Sequence, residues 1–341
     1  MNLFKQSGIY LSSNILNALV PFLLLPVLTH NLNPEEYGQI AMLQTLIAGF
    51  AAFTGLNTIG AANRKFYDKT TLDELAVYNS MCLLILVISS LLVFLLVALF
   101  SSSFSNWLNI PQSWIFLSVL ISGGTFIIQF RLGQWQIREQ AIKFGFTQVS
   151  QSLFIFVLTL MLLLYFNQGK ESRINALVIV TVVYSCLCLL SLFYNRLLRL
   201  DKFNVQYFKD AWNFGVPLVP HVVGIFFLSA IDRILINVHL GVGEAGIYML
   251  GAQLSLGMVV VFDAINKAMV PWLFRILADR NMQRINTIIR FSYLYFLVVF
   301  FLGVLSFWVG PVVISMISGN EYAKASNVIG WLCLGQAFNG M

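Results

Sequence analysis

Long apolar runs, separated by short segments of polar and turn residues, divide this chain into regular units. A helix needs about 20 mainly apolar residues to cross the hydrocarbon core of a membrane, where it satisfies its own backbone hydrogen bonds. Uninterrupted runs such as residues 81–100 and 292–306 do not fit the alternating strands of a membrane barrel. We therefore predict an all-α integral membrane protein with about ten transmembrane helices, near residues 9–29, 39–61, 80–100, 114–133, 147–166, 174–194, 213–239, 245–270, 288–317 and 325–341.

The composition supports a membrane protein. Hydrophobic residues make up 59% of the 341 residues and charged residues 10%, and the mean hydropathy is +0.82. Soluble domains are less apolar and more charged than this. The net charge of +6 is spread one loop at a time, without an aromatic and basic binding motif, so we expect no nucleic-acid partner. The apolar stretch after Lys5 lacks a cleavage-site pattern, and we interpret it as a retained first helix.

The distribution of basic residues predicts the orientation, because positively charged loops resist translocation. When the predicted helices alternate sides, nearly all lysines and arginines fall on one side. The other side has only Lys170, Arg173 and Lys324, and Arg233 lies within a predicted span. The N-terminus, and with ten spans the C-terminus, is predicted to be cytoplasmic.

An internal repeat relates residues 30–49 to residues 238–257. The two segments coincide at Leu32/Leu240, Glu36/Glu244, Gly38/Gly246, Leu46/Leu254 and Gly49/Gly257. The same offset places the first predicted helix on the seventh. Six helices per repeat give both halves the same topology, with an axis along the membrane normal and a cavity between them. We predict two pseudo-symmetric six-helix lobes, residues 1–200 and 201–341. The second is expected to be truncated, because counterparts of helices 5 and 6 are missing, either in a naturally short protein or in a fragment.

Charged residues inside the apolar runs are the first candidates for function. Asp232 and Arg233 lie in the seventh predicted helix, and a charge at membrane depth normally faces a cavity or a partner. Ser229 and Asn237 lie four residues from Arg233 on either side, which makes a polar stripe on one helical face. Arg233 is a candidate ligand for a lipid pyrophosphate or an acidic sugar. The alternatives are an arginine that reaches the outer interface or that pairs with Asp232.

Asp263 and several uncharged polar residues form a second group of candidates. Asp263 precedes Lys267 by four residues, so it is either half of a helical ion pair or, like Asp232, a carboxylate that couples transport to protons or sodium. Asn14 and Asn17 in the first helix, and Asn57 in the second, either bind across helices or line a wet cavity. We favour the cavity, because helices 1, 2, 7 and 8 are related by the repeat.

Two prolines predict an interruption of the seventh helix, and the absence of known motifs argues against several cofactors. Pro217 and Pro220 are predicted to interrupt the seventh helix near its cytoplasmic end, and we interpret the lone His221 as structural. Residues 241–246 fit G-x-G-x-x-G but lie in a turn between membrane helices rather than after a strand. With no P-loop and no metal or nucleophile motif, we predict no cofactor, no metal and no catalytic residue.

Two stretches carry a family resemblance. Residues 7–50 contain a proline-bearing first helix and an L-x-P-E-E-Y-G turn, and residues 213–248 contain an aspartate–arginine pair and a V-G-x-x-x-x-G-I-Y turn. Both stretches resemble the polysaccharide biosynthesis proteins, or O-antigen flippases, of the multidrug/oligosaccharidyl-lipid/polysaccharide exporter (MOP) superfamily. The resemblance implies two six-helix lobes in a bacterial inner membrane. It also implies that Asp232 and Arg233 match family positions in a central cavity.

The resemblance implies a function and leaves alternatives open. The implied function is alternating-access transfer of an undecaprenyl-pyrophosphate-linked oligosaccharide, such as an O-antigen or capsule unit, to the periplasmic leaflet. Its implied partners are the lipid-linked oligosaccharide, membrane lipids, a coupling ion, and glycan polymerase and chain-length proteins. The alternatives are a small-molecule or drug antiporter of the same fold and a membrane enzyme of glycan assembly. Arg233 and the nearly charge-free first helix favour an anionic substrate, and the short outer connections disfavour the enzyme.

Overall fold

The structure is a computed structural model that describes the backbone of residues 3–68, 71–199, 201–278 and 282–340. Within those helices, the description leaves out the side chains of residues 3–5, 263–264, 266–268, 270–272, 274–278 and 282–287. The carboxylate of Asp263, predicted as a coupling group, therefore lies outside the described residues.

The described chain is helical and contains no strand, which confirms the predicted fold class. The helices are α1 (Leu3–Asn31), α2 (Pro34–Ala51), α3 (Thr58–Lys65), α4 (Leu72–Leu108), α5 (Gln112–Ile137), α6 (Ala141–Leu160, extended by a π-helical turn Met161–Tyr165), α7 (Glu171–Tyr194), α8 (Val205–Gly215), α9 (Val219–Leu240), α10 (Val242–Ala278), α11 (Met282–Ile317) and α12 (Ser326–Gly340). Short 3₁₀ segments, Val216–Leu218 and Asn320–Ala325, precede α9 and α12.

Eight helices of the described chain are long and apolar enough to cross a membrane, with α8 and α9 together forming one of them. The predicted spans in α2 and α12 are also helical, but they do not belong to this set. One face of α4 exposes large apolar side chains, including Leu91, Leu92, Leu95, Leu96 and Leu99. A contiguous apolar face of this kind requires a nonaqueous environment. The protein is therefore a multi-pass membrane protein.

The predicted span over residues 39–61 is wrong in its middle, because α2 ends at Ala51 and α3 begins at Thr58. Gly55, Leu56 and Asn57 have φ angles of 75°, 45° and 56°, in the left-handed region. The Gly55 N–H donates to Oγ of Ser89 (2.8 Å), and the Thr58 hydroxyl donates to the Gly55 carbonyl (2.7 Å). Side chains thus satisfy backbone groups that a continuous helix would have paired.

A second break confirms the prediction made from the prolines. The 3₁₀ segment Val216–Leu218 separates α8 from α9, and Pro217 and Pro220 lack the N–H that would continue a regular ladder. Gly215 ends α8 directly against the first break. A Cβ atom on Gly215 would lie 2.0 Å from the carbonyl oxygen of Leu56. The two breaks therefore meet, and only glycine permits the approach.

The contacts divide the chain into two compact units. The first comprises Met1–Val20 and Glu35–Ala245, and the second comprises Pro21–Pro34 and Gly246–Met341. The core of the first unit includes Tyr78, Cys82, Ile85, Phe126 and Phe130. This division leaves the predicted lobes, residues 1–200 and 201–341, as a prediction.

In the second unit, α11 packs on α12 through small residues. A Cβ on Gly310 would lie 2.6 Å from Ile329, and one on Gly303 would lie 2.9 Å from Ala337. The Tyr322 hydroxyl donates to the carbonyl of Leu32 (2.9 Å). Close helix approach through glycine is common in membrane proteins, because dispersion contacts rather than water exclusion hold helices together there.

The aligned repeat segments begin helices at matched positions, α2 at Pro34 and α10 at Val242. Both helices follow a short connection from the preceding long helix. The agreement is local to these two helix starts, so the pseudo-symmetry of two lobes stays a prediction.

We expect Gly215→Ala to destabilise the protein, because its methyl group would overlap the Leu56 backbone and force one of the two breaks to move. The expected cost is about 1–3 kcal/mol, seen as a lower midpoint of thermal unfolding in detergent. Gly224→Ala in α9 is the matched control, since nothing lies within 4 Å of its added Cβ. Alanine favours a helix over glycine, so Gly224→Ala should unfold at the same or a higher temperature. Equal midpoints for Gly215→Ala and the unmodified protein would contradict the close approach.

Candidate functional site

A polar network joins four helices at one end of the first unit, which we call the outer end after the orientation predicted from the sequence. Gln39 near the start of α2 accepts a hydrogen bond from Nζ of Lys170 (2.7 Å) and donates to the carbonyl of Asn109 (3.1 Å). Nε1 of Trp114 donates to the carboxylate of Glu171 (3.2 Å). The starts of α2, α5 and α7 and the end of α4 are therefore fixed to one another.

The predicted polar stripe of α9 reaches this network through Asn237. Its side chain is 1% exposed, donates to the carbonyl of Trp107 (3.1 Å) and lies 3.5 Å from the amide nitrogen of Asn109. Ser229, two turns away, is exposed and bonds to the Phe226 carbonyl of its own helix. Asn237 thus attaches α9 to the connection between α4 and α5. In the polar stripe, Asn237 is therefore bonded to another helix, Ser229 bonds within α9, and Arg233 lies between them.

Two arginines near the outer end have hydrogen-bonding capacity left over. Arg173 in the first turn of α7 is 9% exposed, and its Nε and Nη1 atoms are buried without a hydrogen-bond partner among the described residues. Nε of Arg233 is in the same condition. Burial raises the pKa of the Tyr37 hydroxyl, which is 4% exposed, and the positive charges of Arg173 and Arg233 partly oppose that rise. Arg173 and Arg233 thus both carry buried nitrogen atoms that lack a hydrogen-bond partner in the described chain.

Buried arginine nitrogens without a partner are stabilised when an anion accepts their hydrogen bonds. A buried charge is costly unless it is paired and hydrogen-bonded, and guanidinium groups offer several donors that match carboxylate or phosphate oxygens. Lys170 adds a third cation at this end, with Nζ 5.8 Å from the centre of the Trp114 ring. The outer end is thus suited to an anion.

The other predicted charged residue, Asp232, is partly engaged by the backbone. One of its carboxylate oxygens accepts a hydrogen bond from the N–H of Arg233 (2.8 Å). Its side chain is half-buried, as is that of Arg233. The pair lies within the apolar span of α9.

A cavity of about 380 Å³ lies at the break between α2 and α3. Its lining includes one ionisable side chain, that of His221, and comprises Ala51, Thr54, Asn57, Ile59, Gly60, Ser122, Thr125, Phe126, Gln129, Phe214, Leu218, His221 and Val222. Nδ2 of Asn57 is buried without a hydrogen-bond partner in the described part of the chain, and the hydroxyls of Thr54 and Ser122 lie 2.6 Å apart. Gln129 and His221 are exposed although both lie within membrane-spanning helices.

The predicted polar residues of α1 separate into two environments. The Ser152 hydroxyl of α6 donates to the side-chain oxygen of Asn17, whereas Asn14 is exposed. Asn17 therefore joins two helices of the first unit, which is one of the two alternatives that the sequence left open. A transport role for Asn14 or Asn17 stays a prediction.

Sequence reasoning missed Arg173 and Gln129 as site residues. Arg173 was counted only as a basic residue on the outer side, although an arginine on the translocated side already departs from the usual bias. Gln129 interrupts the apolar run 114–133, and that polar position was the available signal. Neither signal discloses burial or neighbours, which depend on the packing of other helices.

The fold has solved counterparts among transporters. It is similar to that of a multidrug resistance transporter of the MATE family, within the MOP superfamily, which was solved in an inward-facing conformation. The two chains are 14% identical, with a TM-score of 0.67 over 95% of this chain and 82% of that one. At this identity the likeness shows the fold alone.

Sequence comparison defines the family. The family model described as polysaccharide biosynthesis protein matches residues 3–277. An "Uncharacterized membrane protein" of Haemophilus influenzae is 32% identical over 304 residues, or 88% of this chain and 72% of the relative. The "Lsg locus putative protein 1" of the same organism is 30% identical over 303 residues, with 86% and 72% covered. The chain belongs to the polysaccharide biosynthesis protein family.

We expect Arg173→Met to stabilise the isolated protein, because it removes buried donors that have no partner at a cost of about 1–3 kcal/mol. Arg131→Met is the matched comparison. Arg131 is 2% exposed, donates twice to the Ser191 hydroxyl (2.8 and 3.1 Å) and stacks on Trp135, so its loss should destabilise. Thermal unfolding in detergent, without added anions, measures both shifts. A lower midpoint for Arg173→Met would mean that its guanidinium is already satisfied.

Proposed function

We propose that this protein transfers an oligosaccharide linked to undecaprenyl pyrophosphate from the cytoplasmic to the periplasmic leaflet by alternating access. The observation that carries the proposal is the pair Arg173 and Arg233, whose buried Nε atoms lack partners among the described residues. Membership of the polysaccharide biosynthesis protein family supports a glycan as part of the substrate.

The chemistry of the two arginines favours a lipid pyrophosphate as the anionic group. A guanidinium keeps its charge at any physiological pH and offers parallel N–H donors that fit phosphate oxygens in pairs. A pyrophosphate headgroup also brings its own charge into a region of low dielectric, where pairing is strongest. The arginines then stabilise the headgroup while the apolar lipid stays in the bilayer.

The alternatives fit these observations less well. A drug antiporter that exports cations needs acidic groups that are free to bind them, whereas the buried atoms without partners at the outer end are arginine nitrogens. An enzyme of glycan assembly needs room for catalysis outside the membrane. The outer connections between α4 and α5, α6 and α7, and α9 and α10 are short, and the last is Gly241 alone.

The proposed orientation places the N-terminus in the cytoplasm of a bacterial cell, in the inner membrane. At the end of the first unit opposite to the outer end, basic residues form exposed ion pairs. Arg64 lies 3.0 Å from Asp210, and Arg199 lies 3.4 Å from Asp73. Basic residues concentrate on the cytoplasmic side of membrane proteins. A glycan polymerase, chain-length proteins and a coupling proton or sodium ion are the partners that this function implies.

We expect cells that lack the gene to accumulate lipid-linked oligosaccharide on the cytoplasmic leaflet. Arg233→Ala should reproduce that accumulation at normal membrane levels, because it removes a charged donor to the headgroup. Arg233→Lys keeps the charge without the paired donors and should restore only part of the transport. Radiolabelled lipid-linked oligosaccharide, tested for access to an externally added glycosidase, reports the leaflet.

The matched control for Arg233→Ala is Arg290→Ala, since Arg290 is exposed on α11. It should leave the distribution between leaflets unchanged. If the deletion causes no accumulation, the substrate is another molecule and the flippase proposal is wrong.

Coupling predicts a separate result for Asp232. If its carboxylate carries the driving ion, Asp232→Asn should transport at a rate that no longer depends on external pH or sodium. The measurement is transport into vesicles under imposed proton and sodium gradients, with the unmodified protein in parallel. Unchanged dependence on both gradients would exclude Asp232 as the coupling group.

A further inference from the structure

We infer that the cavity at the break between α2 and α3 holds a neutral sugar ring of the transported oligosaccharide. The inference rests on the proposed function and assigns a different part of the substrate to a different place in the first unit. The arginines at the outer end suit the phosphate, whereas this cavity suits an uncharged, hydroxyl-rich group.

The polar lining of the cavity matches sugar hydroxyls in kind. Thr54, Asn57, Ser122, Thr125 and Gln129 all carry uncharged groups, most of which both donate and accept hydrogen bonds. A sugar hydroxyl likewise donates one bond and accepts two. The lining contains no aspartate, glutamate, lysine or arginine. His221 is the one ionisable side chain in the lining, so the cavity is better suited to a neutral hydroxylated ring than to an ion.

Two aromatic rings complete the lining with apolar surface. Phe126 belongs to α5 and Phe214 to α8, and both border the cavity. Ligand sites commonly combine apolar or aromatic walls with a few convergent polar groups, in cavities of roughly 300–1,000 Å³. The volume of about 380 Å³ falls within that range. A sugar ring has an apolar face of C–H groups and a polar rim, which matches this combination.

The cavity also contains side-chain amides that can hydrogen-bond to a ligand. Nδ2 of Asn57 is buried without a partner in the described chain, and an unsatisfied buried donor costs about 1–3 kcal/mol. Gln129 is exposed on a membrane-spanning helix and borders the same cavity. Both amides gain partners when a hydroxylated group enters the cavity.

The backbone at the break is held in an unusual conformation by its neighbours. Leu56 and Asn57 have positive φ angles, and such a conformation is unusual for a residue as bulky as leucine. Ser89 binds the neighbouring Gly55 N–H, and Gly215 packs against the Leu56 carbonyl. Conformations of this kind persist where the surroundings enforce them, commonly at functional sites.

The test compares two probes on the purified full chain in lipid nanodiscs. One probe is undecaprenyl pyrophosphate without sugar, and the other is the lipid-linked oligosaccharide extracted from cells that lack the gene. We expect the unmodified protein to bind the oligosaccharide probe more tightly. Gln129→Ala and Asn57→Gly should each lower that affinity about tenfold, while affinity for the sugar-free probe stays unchanged. Glycine is chosen at position 57 because it accepts the positive φ.

The controls separate sugar recognition from folding and from headgroup binding. Gln168→Ala removes the same type of side chain from the exposed connection between α6 and α7 and should bind both probes normally. Arg233→Ala should weaken both probes alike. Asn57→Gly removes a buried donor without a partner in the described chain, so its thermal unfolding midpoint should equal or exceed that of the unmodified protein, and the midpoint of Gln129→Ala should match it. A lower affinity in these variants then reports the site rather than a loss of folding.

Each contrary outcome has a distinct meaning. The cavity does not recognise sugar if the unmodified protein binds the two probes with equal affinity. The same conclusion follows if the cavity variants bind both probes as the unmodified protein does, or if their affinity for both probes falls equally. Those results leave the flippase proposal intact. If the unmodified protein binds neither probe, the flippase proposal fails and the inference fails with it.

Discussion

Backbone hydrogen bonding inside lipid is the constraint on which this structure depends. The hydrocarbon core offers N–H and C=O groups no partner, so a spanning segment stays helical wherever it faces lipid. The break between α2 and α3 interrupts a predicted span, and specific contacts satisfy its backbone groups. Ser89 accepts a hydrogen bond from Gly55, and the missing side chain of Gly215 admits the Leu56 carbonyl. The polar cavity exists because this break is stabilised from two neighbouring helices.

The same constraint distinguishes charges that the protein satisfies from charges that it leaves without a partner. Arg131 is almost fully buried, but its guanidinium donates to Ser191 and stacks on Trp135. Arg173 and Arg233 keep buried nitrogen atoms without partners among the described residues. A charge that the protein satisfies belongs to its packing, whereas one left unsatisfied near a membrane surface is available to a substrate. This contrast supports a phosphate site at the outer end.

Local sequence signals predicted most of the helices and one of the two breaks. Apolar runs marked the helices, because spanning lipid demands about 20 such residues. Pro217 and Pro220 marked the 3₁₀ segment before α9, because proline lacks the N–H that a helix needs. The break after Ala51 escaped prediction because its residues are mostly small or apolar. Nothing in that run shows that Ser89, more than thirty residues later, supplies the hydrogen bond.

The sequence by itself determined that the chain is a helical membrane protein, which residues are charged or polar within its spans, and the family to which it belongs. These properties depend on the solvation of each segment and on local motifs. The tertiary structure alone decided that Asn17 binds Ser152, that Asn237 anchors α9 to the connection between α4 and α5, and that Arg173 is buried. It also decided that Asn57 and Gln129 border one cavity. Such contacts join residues far apart in the chain, and only the packing of helices against one another brings them together.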